Sequence, residues 1–120
     1  MVLVEDDASV LRALRREISA AGFEVVTFDR PSAVLAATLP ASNACLVVDF
    51  HLPQMTGVEL CEALTAAGCQ LPVVLMTGDA DERTSKLMGR TNAVALLAKP
   101  VARDTLLAAL AKALATGLSG

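Results

Sequence analysis

With 120 residues, 54% of them apolar, the chain has length for one domain whose core needs no disulfide or metal staple. A formal charge of -3 and a pI of about 5.0 give no electrostatic case for binding nucleic acid. The three cysteines form no ligand cluster, the N-terminus carries acids instead of a basic signal region, and no apolar run reaches spanning length. The expectation is a cytoplasmic protein with reduced thiols and no membrane partner.

Met1 to Val4 reads as a first strand running into Glu5-Asp6-Asp7. Three adjacent acids at a strand end repel one another unless a positive charge lies among them. Ser9 is the expected cap of a helix carrying Val10, Leu11, Leu14 and Ile18 at helical spacing. Arg12, Arg15, Arg16 and Glu17 mark its wet side and Gly22 ends it. Phe23 to Phe28 is a short second strand, placed at an edge by its interior acid. Arg30-Pro31-Ser32 opens a second helix with Val34, Leu35 and Leu39, which Pro40 stops.

Cys45 to Asp49 is an apolar run, β-branched at Val47 and Val48, that ends in a carboxylate. A loop containing Pro53 and Gly57 follows. The third helix then turns Val58, Leu60, Cys61 and Leu64 inward, keeps Glu59 and Glu62 near its N-terminus, where the helix dipole favours acids, and ends at Gly68. Leu71 to Met76 is a fourth strand leading into Thr77-Gly78-Asp79. From Ala80 to Thr91 the helical periodicity is weak, with only Leu87 and Met88 large and apolar, so this helix is expected to be the most mobile. Asn92 is placed at its exit in a left-handed conformation. Ala93 to Leu97 is the fifth strand, followed by Ala98-Lys99-Pro100. Thr105 to Leu114 is the last helix, with Leu106, Leu107, Leu110 and Leu114 on one stripe. The domain is taken as residues 1–116, with 117–120 a tail or the start of a linker.

Five strand-helix units in strict alternation define an α/β fold. Crossovers of this length are parallel and right-handed, which gives a doubly wound, three-layer α/β/α sandwich. Ligands of such sheets sit beyond the carboxyl ends of the strands. That edge collects Asp6, Asp7, Asp49, Thr77 and Lys99. Clustered carboxylates need a cation, and an all-oxygen set with no His or Cys partner suits Mg²⁺. Lys99 adds a compact positive charge and Thr77 a hydroxyl. Together they describe a carboxylate nucleophile ready to receive a phosphoryl group.

These residues resemble the receiver domain of bacterial two-component response regulators over essentially the whole chain. The acidic pair is matched to Asp6-Asp7, the phosphoacceptor to Asp49, and the loop motif to Asp49, Pro53 and Gly57. The family's Thr/Ser is matched to Thr77, and its Lys-Pro pair to Lys99-Pro100. The resemblance implies the flavodoxin-like five-stranded parallel sheet of order 2-1-3-4-5. It further implies that Asp7 and Asp49 ligate Mg²⁺ directly, Asp6 through water, and the His51 carbonyl completes the set. The implied partner is a sensor histidine kinase or phosphotransfer protein. A homodimer through the face of helix four, strand five and helix five is compatible with it, and direct nucleic-acid binding is not implied. One position departs from the family: Leu96 stands where a Tyr or Phe usually reports phosphorylation to the output surface.

A phosphorylation-insensitive interaction module that keeps the acidic pocket is the alternative, encouraged by Leu96. A small Mg²⁺-dependent phosphatase is disfavoured, because His51 stands where a second acid belongs and no cap domain is present. A flavodoxin-like cofactor binder lacks a phosphate loop after strand one and aromatics to stack on a flavin. Self-catalysed phosphoryl transfer with slow hydrolysis, without ordinary turnover, is the expected activity.

Overall fold

The computed structural model describes residues 1–78 and 82–119. Strands and helices alternate as β1 (Val2–Val4), α1 (Ala8–Ala20), β2 (Val26–Phe28), α2 (Pro31–Ala36) and β3 (Leu46–Asp49), then α3 (Gly57–Ala66), β4 (Val73–Thr77), α4 (Glu82–Met88), β5 (Ala93–Ala98) and α5 (Arg103–Ser119). All strand pairs are parallel and the sheet order is β2-β1-β3-β4-β5, as expected.

Helices cover both faces, so β1, β3 and β4 are buried at every position, which is why their sequences are near-continuous apolar runs. On one face Val2, Val4, Leu46, Val48, Val73 and Leu75 belong to a core shared with Val34 of α2 and Val58 and Leu64 of α3. On the other, Leu3, Val47, Val74, Met76 and Leu97 meet Leu14 and Ile18 of α1 and Leu106, Leu110 and Ala113 of α5. Cys45 and Cys61 are buried, Cys69 is partly exposed, and all three are free thiols.

Several local expectations change. The cap of α1 is Asp7 and not Ser9: Asp7 has extended backbone, and its Oδ1 accepts from the Ser9 and Val10 amides at 2.9 and 3.2 Å. Strand two starts only at Val26, and its exposed-to-intermediate pattern fits the edge position. Helix two ends at Ala36, because Ala37 is already extended (φ -86°, ψ 155°), leaving Leu39 outside it. β4 begins after Pro72 and takes in Thr77. Asn92 does not adopt the left-handed backbone; among the described non-glycine residues that conformation belongs to Asn43 (φ 57°) and Gln54 (φ 72°). The exit from α4 is closed instead by Thr91, whose hydroxyl donates to the Met88 carbonyl (2.8 Å) and accepts from the Ala93 amide (3.0 Å). The expected start of that helix at Ala80 lies outside the described residues, as does Asp79. α5 runs on past Leu114 to Ser119, so residues 117–119 are helical where a tail was expected; Gly120 lies outside the described residues.

Candidate functional site

The parallel register pairs Val4 of β1 with Val48 of β3, so the next residues, Glu5 and Asp49, end neighbouring strands side by side. The Glu5 amide donates to the Phe28 carbonyl (3.1 Å), which continues the β1–β2 ladder one residue further. Glu5 is fully buried and Asp49 is 4% exposed. Lys99 reaches both from the end of β5: its Nζ lies 2.7 Å from Glu5 Oε2 and 3.0 Å from Asp49 Oδ2. The Lys99 amide donates to the Thr77 carbonyl (2.7 Å), fixing the end of β5 against β4, and the Lys99–Pro100 peptide is cis.

One ammonium among two buried carboxylates leaves the group short of positive charge. Burial is the largest influence on Glu5 and raises its pKa above 4.5; the bonds from Lys99 and the Asp7 amide oppose this without overcoming it, and the Asp49 charge adds to it. Burial alone would lower the Lys99 pKa, but its bonds to Glu5 and Asp49 outweigh that and raise it above 10.5. Glu5, Asp6 and Asp49 each offer an oxygen within 4.8 Å of the others, and this set could hold a metal ion. A cation there would supply the charge the site lacks.

The acidic pair expected at Asp6 and Asp7 is therefore, by position, Glu5 and Asp6. Asp7 is not in the cluster, because its side chain is committed to the first turn of α1 while its own amide donates to Glu5 Oε1 (3.1 Å). Sequence reasoning missed Glu5. A usable signal existed: Asp is as good a helix cap as Ser, and a cap at Asp7 moves the acidic pair back by one residue.

The loop after Asp49 is tightly built. The His51 amide donates to Asp49 Oδ1 (3.3 Å), and His51 bridges Thr56 in antiparallel fashion. The Gly57 amide donates to the Phe50 carbonyl (2.7 Å). α3 starts there because Thr56 and Glu59 form a reciprocal capping box: Thr56 Oγ1 accepts from the Glu59 amide (3.1 Å) and Glu59 Oε1 from the Thr56 amide (3.0 Å). The His51 ring is turned to solvent, edge-on to Phe50 with centroids 5.0 Å apart. Thr77 ends β4, fully buried, one residue beyond the partner of Asp49. Leu96 pairs with Leu75 and is partly buried against the same core face as Leu87 and Met88 of α4. A 550 Å³ cavity at the opposite edge, lined by Asn43, Gln70, Thr91 and Asn92 among others, has no ionisable side chain among its described lining residues.

A five-stranded parallel sheet of this order with acids, a threonine and a lysine at its carboxyl edge defines a receiver-type α/β domain. The sequence matches the response regulator receiver domain over residues 1–111, and the chain belongs to that family. It is 32% identical to Nodulation protein W of Bradyrhizobium diazoefficiens, over 92% of this chain and 49% of that protein. It is also 32% identical to the transcriptional regulatory protein FixJ of the same organism, over 93% and 55%. The chain thus spans about half the length of these curated relatives. Among solved structures it resembles the response regulator StyR, with TM-score 0.84, 37% identity, and 98% of this chain matched to 60% of that one. The receiver domain of a modulated diguanylate cyclase from Desulfovibrio desulfuricans G20 gives TM-score 0.85 at 31% identity, covering 98% and 94%. Among the described residues no helix is long and apolar enough to cross a membrane.

Proposed function

We propose that this domain is the phosphoacceptor switch of a two-component system, with Asp49 as the acceptor. The observation that carries this is the position of Asp49: nearly buried at a central strand end, 3.0 Å from an ammonium and within reach of two further carboxylates. An Asp49 oxygen attacks the phosphorus of a phosphohistidine on a kinase or phosphotransfer protein. The P–O bond forms as the P–N bond breaks, and the electron pair returns to the imidazole nitrogen of the donor. Asp6 and Asp49, with the carbonyl of His51, would hold Mg²⁺, which neutralises charge on the transferring oxygens. Lys99 contributes a second positive charge and Thr77 a hydroxyl at the same edge. The acceptor carboxylate is the protein's contribution, so the domain promotes its own phosphorylation and slow hydrolysis and is no turnover enzyme.

The domain works in the cytoplasm, binds no nucleic acid itself, and signals through the face of α4, β5 and α5, which also serves for homodimerisation. One observation favours the second reading, a phosphorylation-insensitive docking module: Leu96 supplies no aromatic ring at the centre of that face.

Incubation with Mg²⁺ and a small phosphodonor such as acetyl phosphate should add one phosphoryl group, labile to acid and base, that is absent from Asp49→Asn. A group mapped to Ser, Thr or His51 overturns the assignment. Phosphorylation at Asp49 with no change in amide exchange on the output face supports the docking module instead.

A further inference from the structure

Far from the acidic pocket, Arg90 Nη2 donates to both oxygens of Glu62, at 2.8 and 3.0 Å. The bond ties the turn that leaves α4 to the middle of α3, and the two residues face each other across a 420 Å³ cleft lined also by Thr65, Gly89 and Thr91. Among the described residues no other ion pair joins one helix to the turn of another. The two sides of that turn are held differently. After it, the Asn92 carbonyl accepts from the Val73 amide (3.2 Å), and Thr91 is bonded to Met88 and Ala93, so the entry to β5 is anchored on the sheet. Before it stand the seven residues of α4, with Leu87 and Met88 only partly buried.

We propose that the Arg90–Glu62 pair is an electrostatic strap that holds α4 closed against α3, and that ionic strength thereby sets how readily α4 opens. The link to Asp49 rests on the phosphoacceptor reading. An anchored strand entry and a loosely held helix place the pivot of any α4 swing at residues 89–91, where Arg90 stands. α3 is a firm mooring, because its capping box and the Gly57 amide fix it to the loop that follows Asp49. The paired side chains are 56% and 38% exposed, so the bond is weak and salt screens it. Weakness suits a strap: a stronger bond would lock α4 against any signal. A group on Asp49 that favours the open helix works against the strap, so by linkage removing the strap tightens binding of that group by the factor it loosens α4.

Amide exchange of the unphosphorylated protein at about 0.02 M and about 0.5 M salt tests this. At low salt, Arg90→Gln and Glu62→Gln should each speed exchange across residues 82–92 about two- to fivefold, the range of an exposed pair. Amides of β1 and β3 should not change. The exchanged pair, Glu62→Arg with Arg90→Glu, should restore the wild-type rate, and high salt should erase the differences. Unchanged rates in both single variants, or faster exchange that persists in the exchanged pair and at high salt, overturns the strap, since packing and not charge would then hold the turn. Beryllofluoride with Mg²⁺ should bind both single variants more tightly than wild type by the same factor; equal affinity overturns the link to Asp49. If wild type does not respond to beryllofluoride at all, the phosphoacceptor reading falls, while the exchange rates still decide whether the pair holds α4.

Discussion

The α-carbon of Gly57 lies against the main chain of Asp49. A methyl group on it would overlap the Asp49 carbonyl oxygen and stand 3.1 Å from the Asp49 carbonyl carbon and from Phe50 Cα. Those atoms are backbone, so they cannot swing aside as a side chain would. The glycine that opens α3 is thus a packing requirement of the Asp49 peptide unit. Gly57→Ala should cost about 1–3 kcal/mol, the usual range for overpacking, and should slow phosphorylation of Asp49. Gly78→Ala is the control, since a methyl there meets nothing within 4 Å. Urea melts and acetyl phosphate labelling of both variants check this.

Asp7 acts as a helix cap, so Asp7→Ala should lower stability by about 0.5–2 kcal/mol. Asp7→Asn or Asp7→Ser should recover most of the loss. Mg²⁺ affinity, read from amide shifts at Asp6 and Asp49, should stay within about twofold in all three, because the cap does not belong to the cluster. A large loss of affinity would restore Asp7 as a ligand.

Removing Lys99 leaves Glu5 and Asp49 facing each other without a counter-ion. Breaking a fully buried pair costs about 3–5 kcal/mol; with the Lys99 side chain 23% exposed, a loss of about 1–3 kcal/mol is expected for Lys99→Ala. Mg²⁺ should return part of that stability, because ligand binding to the folded state raises it by mass action. Thermal melts with and without Mg²⁺ test both halves.

Burial pushes the Cys45 thiol up to about 11 and the Cys61 thiol up to about 12. The reactive thiolate is correspondingly scarce, about one molecule in a thousand for Cys45 at pH 8. Iodoacetamide should therefore modify Cys69 first in the native protein. Cys45 is fully buried, so its labelling should require opening of the fold and should rise with denaturant well before that of a stable exposed thiol changes. Peptide mass mapping with and without denaturant gives the order directly.

α4 has seven residues, and its two large apolar side chains, Leu87 and Met88, are only partly buried. Segments with few buried apolar contacts open most cheaply. A beryllofluoride mimic on Asp49 should therefore change amide protection mainly across residues 82–92, with residues 93–97 changing less. Leu96 has little surface to relocate, at about 25 cal/mol per Å² of apolar area. A dominant change in β5 would give Leu96 the signalling role.

The layers were legible because buried parallel strands leave continuous apolar runs, and Val47, Val48 and Val73 to Met76 are such runs, while the strand order came from the resemblance to the receiver family. Asp49, Thr77 and Lys99 were legible for the same reason, each standing where such a run stops. Glu5 was not. Its one local signal was the capping strength of Asp7; whether an acid after Val4 still belongs to the strand depends on its amide bonding to Phe28, a contact between distant segments. The end of α2 and the exit from α4 were missed for a related reason: Ala37 turns extended with no breaker in the sequence, and Thr91 closes its turn through its own side chain.

The bond between Lys99 and Glu5 joins positions 94 apart in the chain. A ribosome delivers β1 first and the lysine only after all five strands have emerged. Until then Glu5 and Asp49 have no internal counter-charge, and the pocket cannot close around them. Such long-range closure is among the slow steps of assembly. A nascent chain shorter than 99 residues thus lacks the counter-charge of this pocket, and the site can be completed only once synthesis has passed residue 99.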